Sequence, residues 1–424
     1  MNKNIANIFK GDRVIWMVFM LLSIISIIEV YSASSSLTYK VGNYWAPIIK
    51  HTGLLFVGLC FMIVMQNIAC RWFKLATPFL LFISFVFLIV VLLTGSSTNG
   101  AQRWISFIGI QFQPSEIAKG AMVLAVAQIL SGTQTDKGAS PKAFKWIFWL
   151  SVAFLVPIMV ENLSTAVLLG LTILGMMIVG RVPWRLLAKL VSGVMLTVAF
   201  LLCLLFLVGD DKKEPAPNMQ YTETLAEEKE PGLLEKLLHF VHRADTWKRR
   251  VKDFANTKYV APKDVDLDKD GQKAHAAIAI ASSNIIGKGF GNSVECDFLS
   301  QAFSDFIFAI IIEEMGIEGG VLVELLYIIL FIRTGRIASR CENNFPAFLA
   351  MGLAMLLVTQ ALFNMLVAVG LAPITGQPLP LISKGGTSTI INCVYLGVIL
   401  SVSRSAKKRD KTRAVKEKAQ TAMA

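Results

Sequence analysis

Residues 305–332 open as Asp305-Phe306-Ile307-Phe308-Ala309-Ile310-Ile311-Ile312-Glu313-Glu314 and continue through Met315 and Gly316 to Ile332 as an almost unbroken apolar run. A helix that crosses a bilayer needs about 20 mostly apolar residues, so this run is long enough to span. Working outward, nine more runs of the same kind fall at approximately 14–33, 48–66, 75–94, 116–131, 146–161, 164–180, 186–208, 346–370 and 387–403. The composition agrees: 54% of the 424 residues are hydrophobic and only 17% are charged, with a mean hydropathy of +0.60. A soluble globular chain is usually nearer ~45–50% apolar and ~25% charged. The expected fold is an all-α polytopic integral membrane protein of about ten transmembrane helices. Only Asn162 and Leu163 separate the fifth and sixth runs. They form either a tight re-entrant-like pair or one broken unit, which gives nine or ten spans.

Charge sets the orientation. With the N-terminus inside, the even connections carry Arg71 and Lys74, Lys137, Lys142 and Lys145, Arg181 and Arg185, and Arg333, Arg336 and Arg340, while the short odd loops are poor in Lys and Arg. That places both termini in the cytoplasm. Lys3, Lys10 and Arg13 before the first run resemble a signal-peptide start, but the run is long, carries Glu29 and lacks a clean cleavage site, so it reads as an uncleaved span. The net charge of +12 suggests anionic lipid as a contact and not nucleic acid, because no basic stretch is interleaved with exposed aromatics. The six cysteines form no C-x-x-C pair and read as small hydrophobes; the four histidines are scattered, and no metal motif is present. The chain reads as a single membrane domain over 1–424, with a polar loop at 209–304 on the outer face and a basic cytoplasmic tail at 405–424 that is solvated or lipid-facing. Within the loop, Leu233–His242 has the spacing of an interfacial helix, and Ala274–Ile286 is a second apolar helical stretch too short to span.

Three groups of residues carry potential chemistry. Asp305 sits at the outer edge of the eighth run. Desolvation beneath apolar walls raises a carboxylate's pKa, which suits a general base; capping a helix N-terminus is the competing role. The second group is Asn99-Gly100-Ala101-Gln102-Arg103-Trp104-Ile105 followed by Gln113-Pro114-Ser115-Glu116-Ile117-Ala118-Lys119. Arg103 and Lys119 could together grip a pyrophosphate, or Lys119 could pair with an intramembrane carboxylate such as Glu161. The third runs from Pro373 to Ser388 and includes Pro380-Leu381-Ile382-Ser383-Lys384-Gly385-Gly386-Thr387-Ser388. Its prolines forbid a continuous helix and its glycines permit close approach to a ligand; a simple connecting loop is the alternative.

Taken in order, these three groups, with Gly287-Lys288-Gly289-Phe290-Gly291-Asn292-Ser293 and Glu313-Glu314-Met315-Gly316, resemble the SEDS family (shape, elongation, division, sporulation) of bacterial glycosyltransferases. The resemblance implies polymerisation of lipid II at the outer face of the cytoplasmic (inner) membrane. It implies Asp305 as the catalytic residue and functional roles for Arg103, Lys119 and Asp297. Gln113, Glu116, Ser383, Lys384, Gly385, Gly386 and Ser388 are the substrate-binding candidates within the matching motifs. Implied partners are lipid II and the undecaprenyl-pyrophosphate glycan, a class B penicillin-binding transpeptidase and other divisome proteins. Positive charge for the leaving pyrophosphate would come from Arg103, Lys119 or a divalent cation, Mg or Mn. Ala101-Gln102-Arg103-Trp104 and Gly291-Asn292-Ser293 favour the division branch over the elongation branch. The chain departs from the family at Ser300-Gln301-Ala302-Phe303-Ser304, where Pro-Glu-Ala-His-Thr is common, at Asn162-Leu163, where Pro-Asp is common, and at Lys384, where Tyr is common. The rival functions are a lipid II flippase and a non-enzymatic scaffold for a transpeptidase.

Overall fold

A computed structural model describes residues 9–33, 46–94, 96–98, 101–107, 110–207, 267–299 and 302–421. Eleven helices occur among them: α1 (Arg13–Ser32), α2 (Ala46–Met65), α3 (Cys70–Thr94), α4 (Pro114–Gly132), α5 (Pro141–Glu161), α6 (Leu163–Val179), α7 (Trp184–Leu207), α8 (Leu267–Ser282), α9 (Ile307–Ala338), α10 (Asn344–Ala368) and α11 (Thr387–Thr421). Each of the ten apolar runs falls on a helix, and α8 is the additional one. Seven of the helices are long and apolar enough to cross a membrane, among the described residues, and α6 is an apolar helix of shorter length. Their starts follow local chemistry. Asp12 caps α1 by accepting from the amides of Val14 (2.9 Å) and Ile15 (3.4 Å), and α4 and α5 each begin on a proline, whose missing N–H costs nothing there.

The structure adds detail to several expectations. The fifth and sixth runs are two helices, α5 and α6, turned at Asn162, whose extended backbone ends one and whose side chain accepts from the Ser164 amide to start the other (3.2 Å). Short strands accompany the helices of this all-α membrane fold. Strands β1 (Ser96–Thr98), β2 (Ala101–Phe107) and β3 (Ile110–Phe112) form an antiparallel sheet between α3 and α4, and β4 (Gln134–Thr135) pairs with β5 (Gly138–Ala139) between α4 and α5. The Ala274–Ile286 stretch is helical as α8, starting earlier and ending at Ser282. The basic tail continues α11 as helix as far as Thr421. The expected interfacial helix at Leu233–His242, and most of the 209–304 loop, lie outside the described residues.

Packing groups residues 1–183 with 261–424, and 184–260 form a second unit, described through α7 alone. In the first unit α10 is central, touching α4, α6, α9 and α11, while α2 lies along α11. That last pair is held close by missing side chains: a Cβ on Gly58 would meet Cys393 Sγ at 2.7 Å, and one on Gly397 would meet the Met62 carbonyl at 2.8 Å. Small residues at such crossings let dispersion contacts replace the hydrophobic effect, which lipid tails do not supply. Outward faces are correspondingly apolar, with Phe82 70% and Trp146 68% exposed.

α9 is broken at Gly316, whose φ of +73° and ψ of −176° belong to a region that essentially only glycine occupies. The break leaves the carbonyls of Glu313 and Glu314 without helical partners. The Lys288 and Gly289 amides take those places, each at 2.9 Å. Gly287 lies so close that a Cβ there would sit 2.3 Å from the Glu314 carbonyl oxygen. The buried Glu313 carboxylate completes the junction, accepting from Lys288 Nζ (2.5 Å), Ser293 Oγ (2.5 Å) and the Val294 amide (3.1 Å).

Candidate functional site

Residues 302–306 form an irregular turn leading into α9. Asp305 lies on it, partly exposed, two residues before the first helical residue; the N-cap position belongs to Phe306, which makes no side-chain cap bond. Ser304 Oγ donates to Asp305 Oδ1 at 3.0 Å. Three successive carbonyls of the turn are held from other elements. Lys384 donates its amide to Phe303 (3.0 Å), Ser383 its hydroxyl to Ser304 (2.6 Å), and Asn364 of α10 its side-chain amide to Asp305 (2.8 Å). An extended or turning backbone in apolar surroundings must satisfy these groups internally, and doing so fixes the turn.

The segment 373–386 that supplies Ser383 and Lys384 is irregular as well, and side chains from three helices hold its carbonyls. Asn364 donates to Gln377 (2.8 Å) and Gln360 to Pro378 (3.0 Å), both from α10; Tyr327 of α9 donates to Pro380, and Ser26 of α1 to Ile382 (2.7 Å). The Gln377 side chain in turn donates to Thr165 of α6 (2.9 Å). Leu381 adopts a φ of +69°, unusual for a branched residue and sustained here by full burial.

Glu116 and Lys119 of α4 join the same network. Lys119 is wholly buried, pairs with Glu116 one turn back (2.8 Å) and donates to Gln360 (2.9 Å). Glu116 also accepts from Ser388 at the start of α11 (3.4 Å), and its carbonyl accepts from the Tyr395 hydroxyl (2.6 Å). Of the two roles expected for Lys119, a ligand grip or an ion pair with an intramembrane carboxylate such as Glu161, the geometry shows an ion pair, with Glu116 as the carboxylate. The physical reason is helical spacing: residues three apart share a face, and a buried ammonium takes the nearest carboxylate.

The model of the family described as "Cell cycle protein", which groups FtsW, RodA and SpoVE, matches residues 12–215 and 232–408. The chain belongs to this family. Among relatives of the SEDS family, it is 27% identical to the peptidoglycan glycosyltransferase MrdB of Escherichia coli strain K12, covering 95% of each chain. It is 29% identical to the probable peptidoglycan glycosyltransferase FtsW of Geobacter metallireducens, covering 95% of this chain and 97% of that one. In solved structures it resembles a chain of a peptidoglycan synthase complex (TM-score 0.67, 22% identity, 93% of this chain and 98% of that one). It also resembles Thermus thermophilus RodA (TM-score 0.62, 21% identity, 94% of this chain and 99% of that one).

The SEDS motifs thus meet where their sequence order does not show it. Asp305, Ser383 and Lys384 are brought together directly; Glu116, Lys119 and Ser388 connect to them through Gln360. Gln113 is the partly exposed N-cap of α4, and Gly385 and Gly386 form the turn into α11, the Gly385 carbonyl accepting from the Ser388 amide (3.1 Å). Arg103 lies on β2, and its side chain is outside the described residues. Asp297 is exposed on the turns after α8 and lies 3.6 Å from Cys296 Sγ. Where the family commonly has His and Tyr, this chain has Phe303 and Lys384, and these contact each other, with the ammonium 4.9 Å above the ring. Burial, with the charge of Lys50 adding to it, holds the Lys384 ammonium below the ordinary lysine range. Sequence reading passed over Gln360 and Asn364. Their signal was two amides spaced i, i+4 on one face of an otherwise apolar helix. Among the described residues, no group of three or more His, Cys, Asp or Glu could hold a metal ion.

Proposed function

We propose that this SEDS protein is a peptidoglycan glycosyltransferase that polymerises lipid II at the outer face of the bacterial cytoplasmic membrane, with Asp305 as general base. The observation that carries the reading is the turn itself. One partly exposed carboxylate is oriented by Ser304, and three neighbouring carbonyls are locked from α10 and the 373–386 segment. Such preorganisation is what a base needs if it is to meet one hydroxyl in one geometry.

In the proposed step the Asp305 carboxylate takes the proton of the 4-hydroxyl on an incoming lipid II sugar. That oxygen attacks the anomeric carbon of the growing glycan, the bond to the undecaprenyl pyrophosphate breaks, and the configuration inverts. A sugar acceptor needs one base and a stabilised leaving group, unlike hydrolysis with its paired carboxylates. Charge for the departing pyrophosphate is assigned to Arg103 and the partly exposed Lys384. Lys119, sealed against Glu116 and Gln360, acts as a positioning residue that ties α4 to the catalytic loop. Both termini lie in the cytoplasm in this reading, and a class B penicillin-binding transpeptidase and further divisome proteins are the partners. The septal role follows the motif matches at 101–104 and 291–293.

The test uses the purified full chain with its transpeptidase and labelled lipid II. The parent makes glycan polymer, and Asp305→Ala binds partner and lipid II without making any. Polymer from Asp305→Ala at the parental rate sinks the base assignment, and lipid II crossing vesicles with no polymer from the parent favours a flippase.

A further inference from the structure

At the other end of α9 from the Asp305 turn, a cavity of about 400 Å³ opens among the first residues of α1, the last turns of α9 and the part of α11 around Ser403 and Ala406. Arg13, Arg333 and Arg340 line it, with Asp12 as the one carboxylate among the described lining residues. Asp12 pairs with Arg333, at 2.9 Å to Nε and 2.8 Å to a terminal nitrogen. Among the described lining residues, basic side chains outnumber acidic ones three to one. The network that serves Asp305 uses none of these residues.

Its level in the membrane follows from the helices. Arg13 is the first residue of one apolar span, Ala406 the last of another, and Arg333 and Arg340 flank the end of a third, at Ala338. Three span ends therefore meet at one membrane surface. The faces running from the cavity into the apolar layer are bare. Met17, one turn beyond Arg13, is 50% exposed, and Ile329, one turn before Arg333, is 37% exposed; α1 and α9 are packing neighbours. A cationic rim over an exposed apolar strip matches an amphiphile whose head is a phosphodiester and whose tails lie along α1 and α9. Guanidinium forks suit phosphate oxygens, and basic pockets between helix ends at a membrane surface are known to hold anionic headgroups.

We propose that this cavity is a binding site for the headgroup of an anionic phospholipid. The site grips the phosphate with Arg13, Arg333 and Arg340 and pins the α1 start to the α9 end. Asp12 tempers the affinity by occupying part of the Arg333 fork.

Native mass spectrometry of the detergent-purified full chain, titrated with phosphatidylglycerol, provides the test. The parent should bind phosphatidylglycerol on the order of tenfold more tightly than phosphatidylcholine, and Arg13→Gln with Arg340→Gln should remove that preference. Lys142→Gln with Lys145→Gln, an equal charge loss at exposed positions elsewhere, should keep it. Asp12→Asn retains a capping side chain and should tighten binding, a gain that misfolding does not produce. Equal binding of the two lipids, loss of preference in the Lys142/Lys145 control, or no gain from Asp12→Asn each overturns the proposal. Full competition by inorganic phosphate at the lipid's own concentration also overturns it, because the site would then serve a soluble anion.

Discussion

Lys119 shows how much one residue's surroundings matter. The sequence places a cation one turn into a span; the structure makes it half of a buried ion pair that also holds Gln360. Truncation to methionine strands the Glu116 carboxylate in an apolar interior, at a cost of roughly 3–5 kcal/mol. Lys119→Met should therefore lower the thermal unfolding midpoint in detergent, and Lys119→Met with Glu116→Gln should recover most of it. A double variant as unstable as the single one would show that the lysine acts through something other than its charge. Lys384 carries a different expectation. Its ammonium titrates below the ordinary ~10.4, because burial and Lys50 both disfavour its charge. In the proposed role that charge faces pyrophosphate, so the KM for lipid II should rise as pH climbs through this lowered range. Lys384→Arg, charged throughout, should flatten the profile; an alkaline limb that persists in the arginine variant would remove Lys384 from the binding site.

At the level of elements, the broken α9 deserves the closest test. A continuous apolar run predicts one straight helix, and Gly316 breaks it. The break frees two carbonyls for Lys288 and Gly289 and so couples the 285–294 segment to the helix that Asp305 precedes. A methyl at Gly316 would sit 2.0 Å from the Ile285 carbonyl oxygen, and the backbone conformation excludes side chains as well. Gly316→Ala should lose the docking of 285–289 before it loses the helix. Hydrogen exchange would register faster exchange at the Lys288 and Gly289 amides, with α10 still protected. Unchanged protection at both amides would contradict this account of the kink.

For the whole molecule, the proposed orientation rests on charge asymmetry and is open to direct measurement. A cysteine at Lys10 or at Gln111 should report opposite sides: a membrane-impermeant thiol reagent applied to intact cells should label Gln111→Cys and spare Lys10→Cys. The reverse pattern would invert the topology and with it the outer-face placement of Asp305. Native Cys60, Cys70 and Cys341 are not buried, so the background without either added cysteine is measured first.

The sequence by itself determined where the chain meets lipid, because solvation of a side chain by hydrocarbon is a local property that composition records directly. It also determined that residues 373–386 are not helical, since proline removes a backbone donor wherever it stands. Asp305 at a helix start was legible for the same local reason. The tertiary structure alone decided what holds that aspartate. The packed helices supply donors to its turn and to the neighbouring loop from Asn364, Gln360, Tyr327 and Ser26, and Ser26 reaches across 356 residues to the Ile382 carbonyl. Hydrogen bonds over such separations depend on which helices pack together, and an apolar run carries no mark of its neighbour. The partner of Lys119, the break at Gly316 and the small sheet between α3 and α4 were hidden for that reason. Each is settled by packing and backbone satisfaction rather than by the pattern of residues along the chain.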